Sequence, residues 1–74
     1  MNGLVIEVDA RGLEPPEPLV AILETLQTLP EGAEVLARTD RRPIHLLSQL
    51  DVRGFHAISR EQEDGSYVTS IRKH

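Results

Sequence analysis

The chain contains no cysteine and no tryptophan, and Phe55 and Tyr67 are its only aromatic residues. Without a thiol, these residues supply no disulfide framework, thiolate nucleophile, zinc–thiolate site or cysteine-ligated iron–sulfur cluster. With so few aromatics there is no platform on which nucleic-acid bases would stack. Basic residues are also in deficit: 8 Lys and Arg against 12 Asp and Glu leave a net charge of −4. That is the wrong sign for a domain whose affinity comes from neutralising phosphates, so general nucleic-acid binding is disfavoured. No apolar run approaches the roughly 18 residues of a membrane span. The start, Met1-Asn2-Gly3, has no basic stretch, so no secretory leader is expected. The 5 glycines stand singly, which excludes a phosphate-cradling glycine loop. Ser48, Ser59, Ser66 and Ser70 lack the context of a nucleophile elbow. The expectation is a cytoplasmic protein that is not an enzyme and needs no cofactor.

What is present describes one small globular unit. The 74 residues fit a single domain, 1–74, and 39% hydrophobic with 27% charged residues suits a folded chain rather than a disordered one. Size scaling gives about 4,600 Å² of folded surface, enough for one core and little spare for a deep pocket.

Residues 4–9 read as a strand, with Leu4, Ile6 and Val8 on one face and Glu7 and Asp9 on the other. Val5 interrupts the alternation, as in an inner strand or a sheet partly covered on its second face. Pro15, Pro16 and Pro18 forbid a ladder, but proline suits the first turn of a helix, placing a helix start near Pro16. Leu19, Ile22, Leu23, Leu26 and Leu29 then recur at helical spacing, and Pro30-Glu31-Gly32 ends that helix. Residues 33–39 form a second strand, with Leu36 interrupting its alternation. Asp40 is the expected cap of a second helix with Pro43 in its first turn. Ile44, Leu47 and Leu50 are its expected core face, with Leu46 beside them, and Gly54 stops it. Residues 55–61 and 66–71 are further strands, and Asp64-Gly65 between them signals a type I′ hairpin. The order β-α-β-α-β-β predicts an α/β (α+β) two-layer sandwich, a four-stranded mixed sheet with both helices on one face. Asp9-Ala10-Arg11-Gly12-Leu13 echoes Asp51-Val52-Arg53-Gly54-Phe55, but one precedes a helix and the other follows one, so this is not a repeat.

The segment Asp9-Ala10-Arg11-Gly12-Leu13-Glu14-Pro15-Pro16-Glu17-Pro18-Leu19 resembles the signature of the TusA-like (SirA/YedF) sulfur-carrier family, Asp-x-Arg-Gly-x-x-Cys-Pro-x-Pro before the first helix. Asp9, Arg11, Gly12, Pro16 and Pro18 fall on that pattern. Thr39-Asp40, Gly54 and His56 also resemble family features, and the resemblance spans nearly the whole chain. It implies the same β-α-β-α-β-β fold. The family's persulfide-carrying cysteine falls at Pro15, which has neither a nucleophile nor an N–H. The resemblance is therefore to a cysteine-less branch, a domain of unknown function with a Glu-Pro-Pro-Glu-Pro motif, and it implies a carrier scaffold without sulfur transfer.

The leading expectation is an accessory or protein-interaction module. Its expected partner-binding residues are Arg11, Gly12, Glu14, Pro15, Pro16, Glu17 and Pro18, with Asp40, Arg41 and Arg42 in the adjacent loop. The prolines stiffen this surface and lower the entropic cost of docking. Two of them also remove donors an anion would use at the helix start, and Glu14 and Glu17 would repel it. Two alternatives belong to other classes. His45 and His56 are the candidates for a metal- or haem-associated redox accessory; His74 ends the chain. Arg38, Arg41 and Arg42 form a cluster that would engage RNA phosphates. No membrane partner is expected, and the chain is a monomer or a weak dimer through the edges of its sheet.

Overall fold

A computed structural model describes residues 3–73 of the chain. The elements run β1 (Val5–Asp9), α1 (Glu17–Gln27), β2 (Glu34–Thr39), α2 (Ile44–Val52), β3 (Phe55–Glu61) and β4 (Tyr67–Lys73). The sheet order is β1-β2-β4-β3, with β1 parallel to β2 and β4 antiparallel to both β2 and β3. This is the anticipated mixed sheet. His74, one of the histidines noted in the sequence, lies outside the described residues.

Strand alternation divides the sheet cleanly. Val35, Ala37 and Thr39 of β2 are buried, and their cross-strand partners Ile6, Val8, Ile71 and Thr69 share their face. This face packs against Ile22, Leu26 and Leu29, contributed by α1 and its exit, and Leu46 and Leu50 of α2, in one core. Both helices therefore cover the same side. The other side is bare: Glu7, Leu36, Ser70 and Ile58 form a row across all four strands, and Ile58 is 56% exposed. Val5 and Leu36 break the binary pattern because they sit on this uncovered face, not because β1 is internal; β1 is an edge strand. The principal extents of 33 × 24 × 16 Å describe a slab two layers thick. The surface of 5303 Å² exceeds the size-scaling figure of about 4,600 Å², in the direction expected of a flat slab.

Three local expectations are corrected. Asp40 does not cap α2, whose N-cap is Pro43 with no side-chain bond to the helix; the carboxylate of Asp40 goes elsewhere, as described below. The core face of α2 is Leu46 and Leu50, with Leu47 half-buried, while Ile44 is 67% exposed. At about 100° per residue Ile44 lies about 120° round the helix from Leu50, and Leu46 only about 40°. The β3–β4 hairpin is not type I′. That turn needs positive φ at two adjacent positions, and Asp64 is not in that region; only Gly65 is, at φ 86°. Gly65 N–H donates to Gln62 O (3.0 Å) and Gln62 N–H to Ser66 O (2.7 Å). Asp64 Oδ1 accepts from both Ser66 N–H (2.9 Å) and Ser66 Oγ (2.6 Å), closing a five-residue loop. The glycines of the two echoed segments, Gly12 and Gly54, both adopt φ 81°, so the echo amounts to one shared left-handed turn.

Candidate functional site

β1 and β2 run in parallel, so their C-terminal ends reach the same edge of the slab and release both helix-bound loops there. In open sheets this edge is where binding sites form, because loops splay from adjacent strands while the sheet holds their roots. Ala10 N–H donates to Arg38 O (2.9 Å), carrying the ladder one residue past β1. The chain then turns sharply. Asp9 accepts Arg11 backbone N–H on Oδ1 (3.1 Å), Arg11 Nε on Oδ1 (2.9 Å) and Arg11 Nη2 on Oδ2 (2.8 Å). These bonds to Arg11 pull the Asp9 carboxyl from its usual 3.8 down to about 2. Asp9 reciprocally raises Arg11 above the ordinary guanidinium value.

The two loops are tied directly. Gly12 N–H donates to Asp40 Oδ2 at 2.7 Å, a charge-assisted bond spanning 28 positions of sequence. Thr39, buried at the end of β2, donates its hydroxyl to Arg41 O (2.7 Å) and fixes the second loop from within. The Arg11-to-Gly12 turn thus has its guanidinium on β1 and its amide on the other loop.

Beyond Gly12, the peptide bond between Pro15 and Pro16 is cis. Glu17 N–H donates to Glu14 O (2.8 Å), closing a turn before the helix. Pro16 and Pro18 have no N–H, and that of Glu17 is engaged, so the α1 start is poor in donors for an anion.

Between the two loops lies a groove of about 850 Å³. Its floor is Ala10, Ile22 and Leu46, all buried; Leu13, Pro15 and Leu19 line one wall and Pro43 and Ile44 the other. Glu14 lies on the first lip, and Arg41, Arg42 and His45 lie on the second.

The sequence-derived surface is therefore divided by role. Glu14, Pro15, Pro18, Asp40, Arg41 and Arg42 line the groove. Arg11 and Gly12 do not line it; they hold its first loop in shape. Pro16 and Glu17, at the start of α1, do not line it either. The apolar walls were missed. Leu13 carried a signal, as a large apolar residue outside every core stripe, whereas the spacing of Ile44 assigned it to the core face of α2; both are exposed, at 39% and 67%.

The structure does not bring the alternative sets together. Arg38 lies on β2 between buried Ala37 and Thr39, so it faces the bare side of the sheet, whereas Arg41 and Arg42 stand at the groove. His45 lines the groove, and His56 is paired in register with Arg72 on the bare face. Among the described residues no group of three or more His, Cys, Asp or Glu is arranged to hold a metal ion, and no helix is long and apolar enough to cross a membrane.

This two-layer architecture is the SirA/TusA-like fold. A SirA-like protein from Desulfitobacterium hafniense has a similar crystal structure, with a TM-score of 0.78 at 24% identity, covering 89% of this chain and 93% of that one. The model of the family described as uncharacterized conserved protein (DUF2249) matches residues 7–73, from β1 through β4, and the chain belongs to that family. No curated protein matches it.

Proposed function

We propose that this protein is a non-enzymatic accessory module that docks a protein partner in the groove between residues 10–19 and 39–46. The groove itself is the observation that carries the reading: an open apolar trough whose walls expose Leu13 and Ile44 and whose two loops are pinned together by the Gly12–Asp40 bond. Exposed apolar side chains on rigid supports are what a binding surface requires, since little order is lost on docking. The polar side chains nearest the floor support a binding rather than a chemical role. Thr39 is engaged by Arg41 O and Asp40 by Gly12 N–H, and no thiol exists in the chain to carry a persulfide.

The test is recovery of a partner from lysate on immobilised protein. The double variant Leu13→Asp with Ile44→Asp places charge on both walls and is expected to lose the partner. Val52→Asp, at a position 81% exposed at the far end of α2, is expected to keep it. A Leu13→Asp, Ile44→Asp protein that is folded and still recovers the same partner would overturn this reading.

A further inference from the structure

The groove has a polarity that selects what enters it. The chain as a whole is acidic, with a net charge of −4, yet the α2 lip presents two adjacent exposed arginines. Among the described residues neither the Arg41 nor the Arg42 guanidinium makes a hydrogen bond or ion pair; the ion pairs present are Arg11–Asp9 and Arg72–Glu34. The carboxylate next to them in sequence, Asp40, also lines the groove and keeps its charge, but its Oδ2 is turned to the Gly12 amide on the other loop and it pairs with neither arginine. A cationic lip of this kind meets an apolar floor of Ala10, Ile22 and Leu46, and the opposite lip carries Glu14.

We infer, resting on the docking reading above, that the occupant is an acidic segment of a partner protein: a short stretch with Leu-like anchors beside Asp or Glu. Its apolar side chains lie between Leu13 and Ile44, its carboxylates face Arg41 and Arg42, and Glu14 repels the reversed orientation. Arginine favours carboxylates because its planar fork offers two parallel donors. Recognition runs through side chains rather than strand addition, because Pro15, Pro18 and Pro43 deprive both walls of backbone donors. Complementary charge also accelerates encounter and rejects basic competitors.

The experiment is an NMR titration of the intact protein with three short peptides alternating leucine with aspartate, with asparagine, or with lysine. The aspartate peptide is expected to shift the resonances of Leu13, Ile44 and Leu46, to bind at least about tenfold more tightly than the asparagine peptide, and to weaken as salt is raised. Arg41→Glu with Arg42→Glu is expected to reverse the preference, losing the aspartate peptide and gaining the lysine one; that gain also shows that the variant is folded. Equal binding of the aspartate and asparagine peptides in the groove would overturn the acidic assignment and leave the groove as a docking site. Aspartate-peptide shifts confined to the bare sheet face would overturn the assignment, and the recovery experiment above then judges the groove independently. Octanoate binding more tightly than the aspartate peptide would overturn it in favour of a small apolar anion.

Discussion

Asp9 does more at this site than its exposed position indicates. Three bonds to Arg11 depress its carboxyl to about 2, below its usual 3.8. A carboxylate with a lowered folded-state value stabilises the fold at pH above its unfolded value, and that contribution is lost as pH falls through the folded one. Asp9→Asn is therefore expected to lower Tm at neutral pH, with the gap to the parent protein closing between about pH 4 and pH 2. Thermal unfolding followed across that range checks it, and a gap that persists unchanged at pH 2 contradicts it. Asp40 makes a different contribution, since its bond joins two loops. Asp40→Ala is expected to cost about 1 kcal/mol, below the usual range of about 1.5–3 kcal/mol for a bond to a charged group because the site is exposed. It is also expected to accelerate hydrogen exchange at the Gly12 amide, and urea unfolding with amide exchange measures both effects. Neither bond was legible in the sequence. The Asp9–Arg11 spacing is common in loops, and the Gly12–Asp40 contact exists only once β1 and β2 pair in register. Helix capping was the natural local use for Asp40, and a tertiary donor displaced it.

At the scale of elements, the period of the apolar residues decided nearly everything. The α1 stripe from Leu19 to Leu29 and the alternation of β2 are long enough to have one solution. α2 is shorter, at 9 residues with four apolar side chains in its first seven, and periodicity alone allows two faces. Packing selects Leu46 and Leu50 and leaves Ile44 at the groove. The selection is testable by contrast. Ile44→Asp is expected to change stability by no more than about 0.5 kcal/mol, as an exposed substitution. Leu50→Ala, at a fully buried side chain, is expected to cost about 3 kcal/mol, within the range for leucine truncation in cores. Chemical denaturation of the two variants measures the difference. The hairpin shows the same limit. Asp-Gly marked the turn correctly, but the side chain of Asp64, satisfied by Ser66, favours a longer loop over the two-residue one.

The whole molecule is a slab with one core, and its cooperativity has a convenient reporter. Tyr67 is the only tyrosine and there is no tryptophan; it lies at the start of β4, paired with both Thr39 and Glu61. Its fluorescence and the far-ultraviolet signal of the helices are expected to report one coincident unfolding transition, as for a single small domain. Two separated midpoints would show that sheet and helices melt apart. The layer order was legible at this scale because alternating strands and amphipathic helices admit few arrangements. The groove was not, because it is defined by the residues the core leaves over. The register has one more consequence. Val5, Glu34 and Arg72 share a row, so the first and last strands both meet the end of the slab opposite the groove, two strand spacings or about 10 Å apart. Polypeptide joined at either side would depart away from the binding mouth. The unit can therefore be spliced into a longer protein, or tethered to a surface by either terminus, with its trough left facing outward.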